Sequence, residues 1–340
     1  MTTPSPSLGE GWGEFILPFP RRERELEENT IMPDILLRMM DESDWPEVAD
    51  LIHVSTNYWY QRGGKPPIFT CRPEDTQLFC RVYEALDPGC CVLAIAGATG
   101  LIAGSCLFHP RPTHVSLGIM NVHPNYFGRH VASRLLKFVT DFADAQGKPT
   151  RLVSSAMNLD SYSLYTRAGF VPRATFADMY LPVPKDGLSH QPTGATRVRP
   201  ATPNDASAIA ALEMELAHIQ RDKDYRYFLE NNDGIWHASV NESPEGTING
   251  FLVSVKHAAS NMLGPGLAGS EEVAAALILA ELDHHRGRSP VFLVPVQSAG
   301  LVRQLYSWGA KNCEIHFAQV RGEYRAPTGI VMPTFMPETG

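Results

Sequence analysis

Apolar residues recur along this chain in two alternating rhythms. Short strand-like runs are followed by longer stretches of period 3.6. Ile35–Arg38 opens the series as a short apolar strand. Asp44-Trp45-Pro46-Glu47 then starts a helix expected to run through Ile52, with Asp44 as N-cap. A helix is predicted over Pro73–Leu86 and ends before Pro88-Gly89. Strands follow at Cys90–Ala96, Leu101–Phe108 and His114–Val122, the last two joined by a hairpin turn at Pro110-Arg111-Pro112-Thr113. In the helix expected from Gly128 to Ala145, Val131, Leu135, Phe138, Val139 and Phe142 share one face. A strand at Arg151–Ala156, a helix at Ser161–Ala168 and a strand from Phe170 complete the series. This alternation predicts an α+β fold, a mixed and mostly antiparallel sheet flanked by helices.

The opening pattern then returns. Arg38 through Asp44 is echoed by Arg199 through Asp205 at a constant offset of 161, each leading into an apolar helix. Leu164-Tyr165 is echoed by Leu305-Tyr306, each followed closely by a glycine. A repeat this long means two copies of one fold rather than a solenoid. Pro182–Ala195 is rich in Pro, Gly, Ser and Thr and has no period, which makes it the linker. The expected organisation is a flexible extension at 1–31, an N-terminal domain at 32–182, a linker at 183–195, a C-terminal domain at 196–325 and a tail at 326–340. The extension holds six acids against three bases and no apolar period.

Composition narrows the function. The 340 residues are 44% hydrophobic and 19% charged, an ordinary globular balance. A net charge of −8 argues against nucleic acid as a partner, since phosphate backbones need a basic face. The longest apolar run, Val273–Leu282, is too short for a membrane span and contains Glu281, so no membrane association is expected. Phe15–Pro20 is too short for a signal peptide. The six cysteines form no C-x-x-C pair and read as reduced residues of a cytoplasmic protein. His109 and His114 lack the carboxylate or thiol spacing of a metal site, so no metal is expected.

The chemistry concentrates after the strand that ends at Val122. There His123-Pro124-Asn125-Tyr126-Phe127-Gly128-Arg129-His130-Val131-Ala132-Ser133 turns directly into the long helix. A strand–turn–helix of this kind aims free amides and the positive helix end at one point, which suits a pyrophosphate. Further on, Asn158, Tyr165 seven residues later and Gly169-Phe170 four beyond that follow a predicted strand.

Together these segments resemble the GCN5-related N-acetyltransferase (GNAT) superfamily, as a tandem two-domain member. The family's loop reads Gln/Arg-x-x-Gly-x-Gly/Ala. Here Phe127 replaces the polar residue, His130 replaces the first glycine, and Ala132 fits. The likeness covers about residues 35–180 in detail and 196–320 in outline. It implies two GNAT-like domains and direct acetyl transfer from acetyl-CoA to an amine acceptor in a ternary complex. It implies that Met120, Asn121 and Val122 bind the pantetheine and that Phe127, Gly128, Arg129, His130, Val131, Ala132 and Ser133 hold the pyrophosphate. Asn158 and Ser161 would contact the pantetheine arm, and Tyr165 would protonate the departing thiolate. His130 would either crowd the phosphates or donate to them.

The acceptor is expected against Tyr58, Trp59 and Tyr60, in a loop hinged at Gly63-Gly64. The base is open among His109, His114, His123 and Glu84. The second copy reads as degenerate, with Leu263–Ser270 laid on the loop and His284-His285-Arg286 as cations at a helix end. Two alternatives remain beside a small-molecule N-acetyltransferase: a non-catalytic acyl-CoA-binding or assembly protein, and a thiol-biosynthesis-type tandem acetyltransferase. A homodimer is compatible with either.

Overall fold

The computed structural model describes residues 35–190 and 197–336. The extension at 1–31 and the end of the expected linker lie outside the described residues. The first half runs β1 (Ile35–Met39), α1 (Trp45–Arg62), α2 (Gln77–Leu86), β2 (Cys91–Ala96), β3 (Ile102–Pro110), β4 (Val115–Val122), α3 (Val131–Ala145), β5 (Thr150–Ser155), α4 (Leu159–Arg167) and β6 (Val171–Tyr180). The second runs β7 (Val198–Pro200), α5 (Ala206–Ala217), α6 (Asp222–Glu230), β8 (Trp236–Glu242), β9 (Ile248–Lys256), β10 (Asn261–Ala268), α7 (Glu271–Asp283), β11 (Val291–Pro295), α8 (Ala299–Ser307), β12 (Lys311–Arg321) and β13 (Ile330–Met332).

The residues of the internal repeat do the same work twice. Arg38 donates to both carboxylate oxygens of Asp44 at 2.6 Å, and Arg199 does so to Asp205 at 2.9 Å. Each aspartate also accepts a backbone amide three residues upstream, from Asp41 at 2.9 Å and from Thr202 at 2.7 Å. Asp44 therefore closes the turn before α1 rather than capping α1 with its side chain.

The two halves share one sheet, in the order β1-β2-β3-β4-β5-β12-β6-β11-β10-β9-β8-β7. Each half's last long strand lies inside the other half. β12 pairs antiparallel with β5, and β6 pairs antiparallel with β11, with β6 and β12 side by side at the centre. The reason lies in β5, which pairs with β4 on one edge and leaves the opposite edge open. The free edge of β5 needs a ladder partner, because buried backbone groups must be bonded. β12 supplies it. One apolar cluster accordingly spans both halves, joining Ile52, Leu78 and Tyr83 to Ile209, Tyr225 and Phe228. On the opposite face of the first half, Val131, Leu135 and Val139 of α3 pack on Val92 and Leu117.

Several sequence expectations change here. α1 continues past Ile52 to Arg62, because Val48, Leu51, Ile52 and Ser55 keep one buried stripe at helical spacing. Tyr58, Trp59 and Tyr60 are thus helical and not in a loop. Leu263–Ser270 is mostly strand β10 rather than a phosphate loop. The segment at 326–340, read as a tail, contains β13, and Thr334 and Met336 beyond it are buried. His285 is buried too and bonds Asn261, and burial holds its imidazole down at about 4, so it is a neutral packing residue rather than a cation.

Candidate active site

The site forms where β4 and β5 part. Their only rungs are Val115–Thr150 and Ser116–Arg151. Beyond them β4 carries a bulge, with its register on β3 shifting between Leu117 and Met120. Gly118 lies in the bulge, where a Cβ would come within 2.6 Å of the Tyr83 ring. Past the bulge, Met120, Asn121 and Val122 pair with β3 alone among the described strands. Their other edge faces the opening wedge, free for an extended amide chain to lie against. Asn121 is braced from α1 by Ser55 Oγ, which accepts its Nδ2 at 2.7 Å.

Eight residues, His123–His130, link β4 to α3. Among the described residues, the amides of Gly128, His130, Val131, Ala132 and Ser133 have no bonded acceptor, as expected at a helix start. Gly128 has φ 76° and nothing within 4 Å of where a Cβ would sit. These amides fit a pyrophosphate. His130 itself adopts φ 59°, ψ 14°, the left-handed region that glycine occupies at no steric cost. His130→Gly should therefore stabilise the fold by about 1 kcal/mol. Thermal unfolding would check this.

Asn158 is the N-cap of α4, its side-chain oxygen accepting the Ser161 amide at 3.0 Å. Tyr165, two turns on, is buried against Phe170 with ring centroids 5.8 Å apart. It belongs to the same apolar cluster as Val131 and Leu135, against which Met120 and Val122 pack. Burial pushes its phenol well above the usual range, and the neighbouring Cys106 thiol adds to this.

A cavity of about 280 Å³ lies between the end of α1 (Trp59, Tyr60, Lys65) and the start of α4 (Met157, Asn158, Asp160). Two of the three aromatics expected at the acceptor line it. Tyr58 points elsewhere, with its ring edge-on to Phe127 of the loop at 5.8 Å. Sequence reading placed Lys65 in the acceptor stretch without a role and missed Glu314. Lys65 Nζ lies 3.1 Å from Glu314 of β12, whose other oxygen accepts from Ser155 Oγ at 2.7 Å. Glu314 belongs to the other half, and no sequence signal joins residues so far apart in the chain.

The acetyltransferase (GNAT) family model matches residues 49–170. This segment is similar to the GNAT acetyltransferase family. The whole described chain resembles solved GNAT structures. A candidate acetyltransferase from Pyrococcus horikoshii is 14% identical with a TM-score of 0.71, covering 91% of this chain and 98% of that one. A GCN5-related N-acetyltransferase from Sphaerobacter thermophilus is 17% identical with a TM-score of 0.58, covering 84% and 95%. A tandem GNAT protein from the clavulanic acid biosynthesis pathway is 15% identical with a TM-score of 0.57, covering 86% and 100%. At such identities the likeness shows the fold, two GNAT-like domains in tandem. No curated protein matches the chain.

The second GNAT-like half keeps the architecture without the site. β10 and β11 also pair at two rungs, and β10 bulges between Leu263 and Gly266. After this bulge, Gly266, Leu267 and Ala268 correspond to Met120, Asn121 and Val122. Their outer edge is taken by β13, which pairs with them at Met332, Val331 and Ile330. Only Gly269 and Ser270 separate β10 from α7, so no loop forms. Ser270 caps α7 itself, and Glu271 and Glu272 place negative charge where a phosphate would lie. The Leu-Tyr echo is also offset by one. The amides of Phe170 and Ala310 bond the carbonyls of Tyr165 and Leu305, so Leu305 is the counterpart of Tyr165. Leu305 is fully buried, while Tyr306 is 49% exposed.

The candidate bases disperse. His109 bonds Asp87 beside Arg111, and His114 bonds Thr113 and Ser116, with both imidazoles buried around the β3–β4 turn at the far end of β4. Glu84 caps the Gly89 amide at 2.9 Å. His123 accepts the Asn125 amide at 3.2 Å within the loop. Among the described helices, none is long and apolar enough to cross a membrane.

Proposed function

We propose that the chain is an N-acetyltransferase that binds acetyl-CoA in its first half and transfers the acetyl group directly to a small amine. The observation that carries this reading is a conjunction in one half only. A free β4 edge and a loop of unbonded amides before α3 adjoin there, and the buried phenol of Tyr165 belongs to the cluster packed under Met120 and Val122. Residues 32–182 would hold the cofactor and the chemistry, with 196–325 as the degenerate copy.

Acetyl-CoA supplies an activated thioester when bound. The edge of Met120–Val122 would pair with the pantetheine amides, and the amides of Gly128–Ser133 would hold the pyrophosphate. Asn158 and Ser161 would contact the pantetheine arm. The acceptor would enter beside Trp59 and Tyr60. Its neutral nitrogen forms the new C–N bond as the C–S bond breaks. Tyr165 gives its proton to the thiolate, and the proton lost by the acylated nitrogen passes through water to restore the phenol.

Two measurements test this. Acceptor-dependent CoA release over a panel of small amines should show turnover, and no release with any amine would favour a non-catalytic acyl-CoA-binding protein. The left-handed His130 in place of a glycine is the observation favouring that second reading. Calorimetry of the full chain should give one CoA per chain, because β13 occupies the second wedge. Two equivalents would overturn the assignment of the cofactor to the first half alone.

A further inference from the structure

Lys65 occupies a seat built for a cation. Its ammonium lies 3.1 Å from Glu314 Oε1, 3.5 Å from the Cys313 carbonyl and 3.3 Å from Met157 Sδ, with the Tyr60 ring centroid at 5.7 Å. A carboxylate, a carbonyl and an aromatic face are the partners an alkylammonium takes.

The two sides of this contact differ in rigidity. Glu314 is held from behind by Ser155 and Tyr60, and its side chain is 3% exposed. Lys65 is 30% exposed and follows Gly63-Gly64, with Gly64 at φ 75° and open space around it. The anion is fixed and the cation can leave. More acid lies beneath. Asp178 of β6 sits opposite Glu314 in the ladder, its Oδ1 is buried with no hydrogen-bond partner, and its Oδ2 lies 3.3 Å from His316 Nδ1. The seat opens into the cavity that Asn158 also lines, so it lies within one small molecule's length of the proposed cofactor wedge.

Burial pushes the Glu314 carboxyl up, but the hydrogen bonds from Ser155, Tyr60 and Lys65 bring it below the usual range. A carboxylate held that way retains a cation and is a poor proton acceptor, which separates this role from that of the missing base.

We propose that Glu314, contributed by the second half, anchors one cationic nitrogen of the acceptor in the place Lys65 now fills, so that the acceptor is a small diamine or polyamine whose other amine reaches the thioester. This rests on the transferase reading above. It gives the second half a role in substrate choice although its own wedge is closed.

Two experiments test it, one without any turnover. Lys65→Ala empties the seat and should gain binding of n-butylammonium, a mimic of the lysine side chain, at millimolar concentration by thermal shift. The double variant Lys65→Ala/Glu314→Gln should not bind it. No binding by Lys65→Ala, or equal binding by both variants, overturns the seat. In the transfer assay, 1,4-diaminobutane should exceed n-butylamine in kcat/KM by about tenfold or more, the scale of one charged hydrogen bond. Glu314→Gln should collapse that preference by raising KM for the diamine. Equal kcat/KM for the two amines with the native chain overturns the acceptor class. Butylammonium binding without transfer to any amine would support the cation seat and refute the transferase reading.

Discussion

Tyr165→Phe should lower kcat by roughly 10²-fold while leaving the affinity for acetyl-CoA nearly unchanged, the low end for loss of a general acid. The phenol is buried in the cluster that packs under Met120 and Val122, and burial followed by the Cys106 thiol raises it above its ordinary range. It therefore stays protonated at any working pH and can donate as the sulfur gains charge. The sign follows directly: a raised phenol produces no alkaline fall in kcat below about pH 10, its ordinary value. The counterpart in the second half is leucine, so that half cannot substitute for it. Steady-state kinetics of the variant decide the point. A kcat within threefold of the native value would mean that water or another group protonates the thiolate.

Arg111→Ala should cost about 3–5 kcal/mol of stability, because it leaves buried carboxylates without their counter-charge. Arg111 sits in the β3–β4 turn and is almost wholly buried. Its Nη1 donates to Asp87 at 2.9 and 2.7 Å, and its Nε and Nη2 donate to Asp224 of α6 at 3.0 and 2.9 Å. It thus ties the two halves at the end of the sheet away from the wedge. Burial alone would raise Asp87, but His109, Arg111 and Lys223 together bring it down to about 2. A depressed carboxyl contributes stability above its unfolded value near 4, which is lost as pH falls towards 2. The variant should show a smaller acid-dependent loss over that window. Thermal unfolding should show Tm lowered by roughly 5–10 °C. Adding Asp224→Asn should recover part of the loss, since it removes the carboxylate with the fewest other partners. A change under 1 kcal/mol would show that the cluster relaxes or admits water.

Local patterns made much of the first half legible. The long amphipathic helix after Val122 and the Asn158–Tyr165–Gly169 spacing lie where the sequence puts them, because each depends on contacts within a few residues. The Arg-to-Asp repeat was readable for the same reason, as each pair closes its own turn. The reading failed where one residue of offset matters. The Leu-Tyr echo set Tyr306 beside Tyr165 with its glycine one residue short, and the helix end puts Leu305 in that place. It failed again at Gly264-Pro265-Gly266, whose composition suggests a loop but which forms a bulged strand.

The sequence by itself determined that this chain holds two copies of one α+β fold, and it placed the loop, Asn158 and Tyr165 at their mutual spacing in the first. Those features are written in periods and spacings of fewer than ten residues. Only the tertiary structure decided that β6 and β12 are exchanged between the halves, that β13 closes the second wedge and that Glu314 meets Lys65. Strand order and edge pairing depend on which buried backbone edges remain free once the local elements have formed. Any strand with an apolar face can satisfy such an edge. The choice among them is made by packing across the whole sheet, which no local pattern records.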